Sequence, residues 1–66
     1  MKITINGQIK QCSPNFTIES LLDELGYANK KIAVEINEEI IPRSKLKNKL
    51  IIDGDRIEII NAVGGG

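Results

Sequence analysis

The chain has 66 residues, enough for one domain with a small core. Nine Lys and Arg residues balance nine Asp and Glu residues to a formal net charge of zero, which argues against electrostatic binding of nucleic acid. Because histidine is absent and Cys12 is the single cysteine, the composition excludes histidine-based catalysis, an intramolecular disulfide and a cysteine-rich metal site.

The first predicted element is a β-hairpin. Residues 1–5 alternate in polarity, and Asn6-Gly7 is typical of a two-residue type I′ turn, in which both positions need a positive φ. Such a turn places Cys12 on the same face as Ile3 and Ile9 on the opposite face, whereas a three-residue turn would reverse the two faces of the second strand.

A single amphipathic helix is predicted next, over about residues 18–25. Thr17 is a suitable N-cap, Glu19 complements the helix dipole in the first turn, and Gly26 suits the C-terminal cap. The apolar stripe expected to face the core has the spacing i, i+3, i+4 and i+7 and consists of Ile18, Leu21, Leu22 and Leu25.

The second half of the chain predicts two further strands. Residues 32–37 form the third, residues 38–39 lie in a turn, and Pro42 ends any pairing through residues 40–41. A short helical turn is expected within residues 44–49 and a tight turn at 53–55.

Residues 56–61 are predicted to form the last strand. Ile57 and Ile59 face one way, whereas Glu58 and Ile60 face the other, and the nearly continuous apolar character favours a central position in the sheet. One helix can cover one face of one sheet, so the predicted fold is α+β, with a four-stranded mixed sheet packed on one main helix.

The chain ends in three glycines, Gly64, Gly65 and Gly66, which follow the last strand almost directly. A glycine-rich terminus is more often only a frayed end, but a peptide without side chains also fits a narrow active site in a partner protein. The terminal carboxylate is ionised at neutral pH and could attack the α-phosphate of ATP in such a partner. We therefore divide the chain into a domain of residues 1–63 and a flexible tail of residues 64–66.

The order and spacing of six short segments resemble the ThiS family along the whole chain. These segments are residues 1–7 (MKITING), 17–22 (TIESLL), 34–37 (VEIN), 41–43 (IPR), 53–55 (DGD) and 63–66 (VGGG). The resemblance implies a ubiquitin-like β-grasp fold and the role of sulfur carrier in thiamin biosynthesis. By position, Gly65 and Gly66 match the functional diglycine of the family, and Gly64 is an additional slender residue.

The resemblance also implies the partners. A ThiF-like adenylating enzyme would consume ATP to activate the Gly66 carboxylate, a persulfide donor would supply sulfur, and a ThiG-like thiazole synthase would receive it. The carrier itself would be a co-substrate with no catalytic side chain, no bound cofactor and no metal. Because the apolar stretches are short, we expect no membrane span and a cytoplasmic location.

Three other functions are compatible with the same pattern. The small subunit of molybdopterin synthase shares the fold and the terminal thiocarboxylate, although the short length and the segment 41–43 favour the thiamin branch. A ubiquitin-like modifier would join the same tail to an amine, and a ubiquitin-like binding module would not need a free tail.

The remaining candidate residues concern partner docking. The outer sheet face is expected to present Ile9, Ile60 and Ala62 as an apolar docking patch. Arg43 either docks a partner or anchors a loop. We interpret Cys12 as a small core residue.

The other charged candidates are given structural interpretations. Asp53 and Asp55 are assigned to turn hydrogen bonding and not to a metal. The basic residues Lys45, Lys47 and Lys49 are assigned to a solvated face.

Overall fold

Five strands and two helices make up the described part of the chain, residues 1–27 and 30–61 of a computed structural model. In chain order they are β1 (Lys2–Ile5), β2 (Gln8–Gln11), α1 (Ile18–Glu24), β3 (Ile32–Ile36), β4 (Glu39–Ile41), α2 (Arg43–Leu46) and β5 (Arg56–Asn61). Neither helix in these residues is long and apolar enough to cross a membrane.

The strands form one mixed sheet in the order β2-β1-β5-β3-β4. Strand β5 lies in the centre, parallel to β1 and antiparallel to β3, and the two hairpins β1·β2 and β3·β4 are antiparallel. The central position predicted for the last strand is therefore confirmed.

The sheet has five strands, so the predicted number of four is wrong. Asn37 and Glu38 both adopt positive φ, 52° and 72°, and form a two-residue turn. Pairing resumes at Glu39, which the sequence predicted to lie in the turn, and β4 pairs with β3 until Pro42 follows its last residue. The additional strand lies at one edge of the sheet.

The first hairpin has the predicted register. Ile5 pairs with Gln8, and the turn residues Asn6 and Gly7 have φ angles of 48° and 83°, as a type I′ turn requires. Cys12 consequently packs against the core, whereas the Ile9 side chain is 69% exposed on the other face.

Helix α1 covers the inner face of the sheet. The Thr17 hydroxyl oxygen accepts a hydrogen bond from the Ser20 backbone N–H at 3.1 Å, which confirms the predicted N-cap. The prediction for Leu25 is wrong: this residue is the C-cap and is 39% exposed, because the helix ends at Glu24. The buried core consists of Ile3, Ile18, Leu21, Leu22, Val34, Ile36, Ile51, Ile57 and Ile59.

Candidate functional site

The candidate site is the end of β5 and the tail that follows it. Strand β5 is paired on both sides, and Ile57 and Ile59 anchor it in the core while Glu58 and Ile60 lie on the outer face. The predicted site residues Gly64, Gly65 and Gly66, and Ala62 before them, lie outside the described residues. The structure therefore defines the base of the tail up to Asn61.

A side chain continues the hydrogen bonding of β5 where strand β1 stops. The Asn6 backbone N–H donates to the Ile57 carbonyl at 2.9 Å, and the Asn6 Oδ1 atom accepts from the Ile59 N–H at 2.8 Å. Sequence reasoning used Asn6 only as a turn residue and missed this second role. The hairpin turn thus fixes the last strand two residues before its end.

The start of β5 is held by a second set of hydrogen bonds. Asp55, 7% exposed, accepts from the Asn37 side-chain amide at 3.0 Å and from the Ile52 N–H at 2.8 Å. Asn37 in turn accepts from the Arg56 N–H at 2.9 Å. The Asp53 carboxylate accepts from the Lys2 N–H at 2.7 Å. Asp55 therefore makes a hydrogen bond within its turn, as the sequence predicted, whereas Asp53 joins the turn to the distant strand β1.

Asp53 and Asp55 do not belong to a cluster of metal-ligating side chains in the described part of the chain. Within residues 1–27 and 30–61, no three His, Cys, Asp or Glu side chains are grouped so that they could hold a metal ion. The hydrogen bonds of Asp53 and Asp55 instead join the turn before β5 to β1 and to the β3–β4 turn.

Ile9 and Ile60, the predicted docking residues of the sheet that the structure describes, share one face but are not neighbours. Ile60, 48% exposed, pairs with Ala33 of β3. Ile9 pairs with Thr4, which pairs with Arg56. Since Ile60 lies four residues beyond Arg56, the two isoleucines are about 13 Å apart along the strand direction. Their apolar surfaces are therefore separate.

Arg43, the other predicted docking residue, lies elsewhere. It is exposed at the first position of α2 and lines a groove between α1 and α2, with Leu22 and Tyr27 among the lining residues. Since Leu22 belongs to the core between helix and sheet, this groove is on the helix side. Arg43 and Ile60 are thus on different surfaces.

Cys12 is partly buried and packs against the core, and its backbone N–H donates to the Met1 carbonyl at 2.8 Å. Its position agrees with the structural interpretation of this residue as a small core side chain.

Comparison with known proteins extends the evidence to the tail. The sequence model of the ThiS family matches residues 3–66. The sulfur carrier protein ThiS of Escherichia coli is 33% identical over 66 residues, with complete coverage of both chains. A thiazole synthase of Paramagnetospirillum magneticum is 46% identical over 66 residues, and this chain spans 20% of that protein's length.

A solved structure gives the same result for the fold. The crystal structure of a thiamine biosynthesis protein, ThiS, from Geobacter metallireducens matches with a TM-score of 0.85 and 29% identity, and each chain is covered completely. The predicted β-grasp fold and the predicted family are both confirmed. The chain belongs to the ThiS family.

Proposed function

We propose that this chain is the sulfur carrier of thiazole formation in thiamin biosynthesis and carries the sulfur on the C-terminal carboxyl group of Gly66. The observation that carries the proposal is the family match, which runs from Ile3 to Gly66 and so includes the complete tail. The full-length match to a sulfur carrier of Escherichia coli supports the same role.

The proposed chemistry starts with activation of the tail. A Gly66 carboxylate oxygen attacks the α-phosphorus of ATP, pyrophosphate leaves, and an acyl adenylate forms. The terminal sulfur of a persulfide then attacks the acyl carbon, and AMP leaves. A second thiol cleaves the resulting acyl disulfide, which releases a thiocarboxylate on the carrier and leaves a disulfide on the donor side. The thiocarboxylate sulfur is the group that is passed on.

The architecture of the domain suits this role. Strand β5 is held by β1, β3 and the Asn6 side chain, so the tail starts from a rigid base at Asn61. The five residues that follow Asn61 reach at most about 18 Å when fully extended. A rigid base and a slender end let a partner enzyme position the carboxylate without reorganising the carrier.

The proposed partners follow from this chemistry. A ThiF-like enzyme adenylates the tail and consumes the ATP, a persulfide supplies the sulfur, and a ThiG-like thiazole synthase accepts it. The thiazole synthase of Paramagnetospirillum magneticum supports the last partner, because a segment 46% identical to this chain is part of that protein. The carrier acts as a co-substrate in the cytoplasm and supplies no catalytic side chain.

In the test, the purified chain is incubated with the activating enzyme, ATP and a persulfide donor, and the mass of the intact protein is measured by mass spectrometry. We expect one terminal oxygen to be exchanged for sulfur, with the exchange located at Gly66. Reactions without ATP or without activating enzyme are the controls. No exchange in the complete reaction would overturn the proposal. Delivery of the sulfur to a pterin precursor, and not to a thiazole, would favour the molybdopterin function instead.

A further inference from the structure

Two carboxylates face each other directly at the centre of the outer sheet face. In the β3·β5 register Glu35 is the partner of Glu58, and both alternate with buried residues of the inner face. Like charges that lie directly opposite each other on adjacent strands destabilise a sheet. The centre of this face therefore carries an electrostatic cost in the isolated domain.

The charged residues around the pair leave its negative charge uncancelled. Among the described residues, a concavity on this face is lined by Glu35, Glu58 and Glu38 and by one cationic residue, Arg56. Three carboxylates against one guanidinium leave a net charge of −2 there. Within residues 1–27 and 30–61, the one salt bridge joins Lys10 and Glu24 at 3.2 Å. None of the four charged residues in the concavity therefore has an ion-pair partner in that part of the chain.

Apolar side chains border the acidic pair. Ile40 of β4, 68% exposed, is the register partner of Glu35. Ile60 is 48% exposed, and its register partner Ala33 is also exposed. They lie on the same face as the acidic pair, two residues from Glu58 and Glu35 along the two strands. A charged centre beside exposed aliphatic side chains is a surface that fits an apolar partner surface carrying a matching cation.

We propose that this outer face, centred on Glu35 and Glu58, is the docking surface for a thiazole synthase whose contact surface carries Lys or Arg side chains. A cation between the two carboxylates removes their repulsion, and Ile40 and Ile60 supply the adjoining apolar contact. The surface selects a synthase of complementary charge. The inference rests on the proposed function.

The short tail limits the distance between this face and the enzyme that receives the sulfur. Glu58 and Ile60 belong to β5, and Gly66 follows Ile60 by six residues in the sequence. The chain between them extends at most about 22 Å. An enzyme that holds Gly66 in its active site is therefore close to this face. The thiazole synthase is the favoured occupant because a homologous segment shares a polypeptide with thiazole synthase in a relative.

The test measures the affinity of the purified chain for the thiazole synthase of the same organism by isothermal titration calorimetry at low and high salt. Glu35→Gln and Glu58→Gln keep the shape and remove one charge each. Each should weaken binding about two- to fivefold at low salt, as expected for a partly exposed ion pair. The double variant should also lose most of the salt dependence of the native chain. Asp23→Asn, the same charge change on exposed α1, is the matched control and should bind normally.

The stability of the same variants gives an independent readout. Removal of either carboxylate relieves the repulsion, so the melting temperature of Glu35→Gln and Glu58→Gln should be equal to or higher than that of the native chain. A variant that is more stable and yet binds more weakly separates docking from folding. Lower melting temperatures, unchanged affinity or an effect equal to that of Asp23→Asn would each overturn the inference.

A second assay distinguishes this inference from the proposed function. The activating enzyme should convert the Gln variants to thiocarboxylate as it converts the native chain. If the native chain is not converted, the proposed function fails. If it is converted but the variants bind the synthase normally, or lose binding to the activating enzyme alone, only the docking inference fails.

Discussion

Glu38 occupies the position in the β3–β4 turn that Gly7 occupies in the β1–β2 turn. Both turns begin with an asparagine, and the second residues have φ angles of 72° for Glu38 and 83° for Gly7. Glycine adopts this region without a steric penalty, whereas a residue with a Cβ atom does not. The second hairpin therefore contains a strained residue where the first does not.

Replacement of the strained residue should stabilise the domain. For Glu38→Gly we expect the free energy of unfolding to rise by roughly 0.5–1 kcal/mol, since the left-handed backbone penalty outweighs the entropy that glycine adds to the unfolded chain. Urea denaturation measures this change in the free energy of unfolding. Gly7→Ala is the converse control and should lower stability by about 1 kcal/mol. Its Cβ atom would meet no atom within 4 Å, so the loss is one of backbone conformation. A less stable Glu38→Gly would contradict the argument.

The hydrogen bond between the Asn6 side chain and the Ile59 N–H can be removed without changing the geometry of the turn, and its removal should lower the stability of the domain. Asn6→Gly keeps access to positive φ but removes the acceptor of the Ile59 N–H. We expect stability to fall by about 1 kcal/mol, the usual value for one hydrogen bond, and the Ile59 amide to exchange faster with solvent. Asn6→Asp retains an acceptor and serves as the control. Equal exchange rates in the Gly and Asp variants would show that the bond is not formed in solution.

The core is predicted to depend strongly on Leu22. This side chain is 6% exposed, and Leu22→Ala should lower the free energy of unfolding by roughly 2–5 kcal/mol. A domain of this size has a total stability of roughly 3–10 kcal/mol, so the variant approaches complete unfolding. Thermal denaturation followed by circular dichroism measures the change. Leu25→Ala, at a residue 39% exposed, is the control and should have a much smaller effect. Similar losses at both positions would contradict the assigned helix face.

The sequence predicted those elements whose signals are local. The Asn6-Gly7 turn determined the register of the first hairpin, and the polarity of residues 56–61 determined the faces of β5. Strand β4 was not predicted, because it has only three residues and its turn has Glu38 where a glycine would have signalled a hairpin. Leu25 fits the helical spacing, yet the helix ends one residue before it.

The relationships between distant parts of the chain could not be predicted in the same way. The opposition of Glu35 and Glu58 depends on the register of β3 and β5, which are separated by β4, α2 and a long connection. No local pattern determines that register. The tail, in contrast, was predicted as the functional end because its glycines are visible in the sequence and match the diglycine of the ThiS family by position.

Docking through the apolar part of the outer face is tested by Ile60→Glu. Since Ile60 is 48% exposed and faces away from the helix, the variant should fold but bind a partner enzyme more weakly. Binding to the thiazole synthase and to the activating enzyme is measured separately. Ile59→Glu is the control that checks which face of β5 is buried. It places a carboxylate in the core, where Ile59 is 8% exposed, and should unfold the domain. An unfolded Ile60→Glu, or a folded one that binds normally, would contradict the docking role.

The most direct prediction concerns the length of the tail. One residue added after Gly66 leaves the domain up to Asn61 unchanged but moves the carboxylate away from the ATP α-phosphate. A misplacement of about 1 Å can cost on the order of a hundredfold in rate, so the extended chain should accept almost no sulfur. Deletion of Gly66 shortens the reach and should have a comparable effect. Unchanged thermal denaturation of both variants would show that the losses arise at the tail and not in the fold.

Cys12 provides the matched control for the site of the sulfur. Because Cys12 packs against the core and the proposed sulfur is carried on Gly66, Cys12→Ser should accept sulfur as the native chain does, with at most a modest loss of stability. The native chain, the extended chain, the chain without Gly66 and Cys12→Ser are each incubated with activating enzyme, ATP and a persulfide. Intact mass spectrometry measures the sulfur that each has accepted, and fragmentation locates it. Sulfur on Cys12, or equal charging of the extended chain, would show that the carrier does not work through its C-terminal carboxylate.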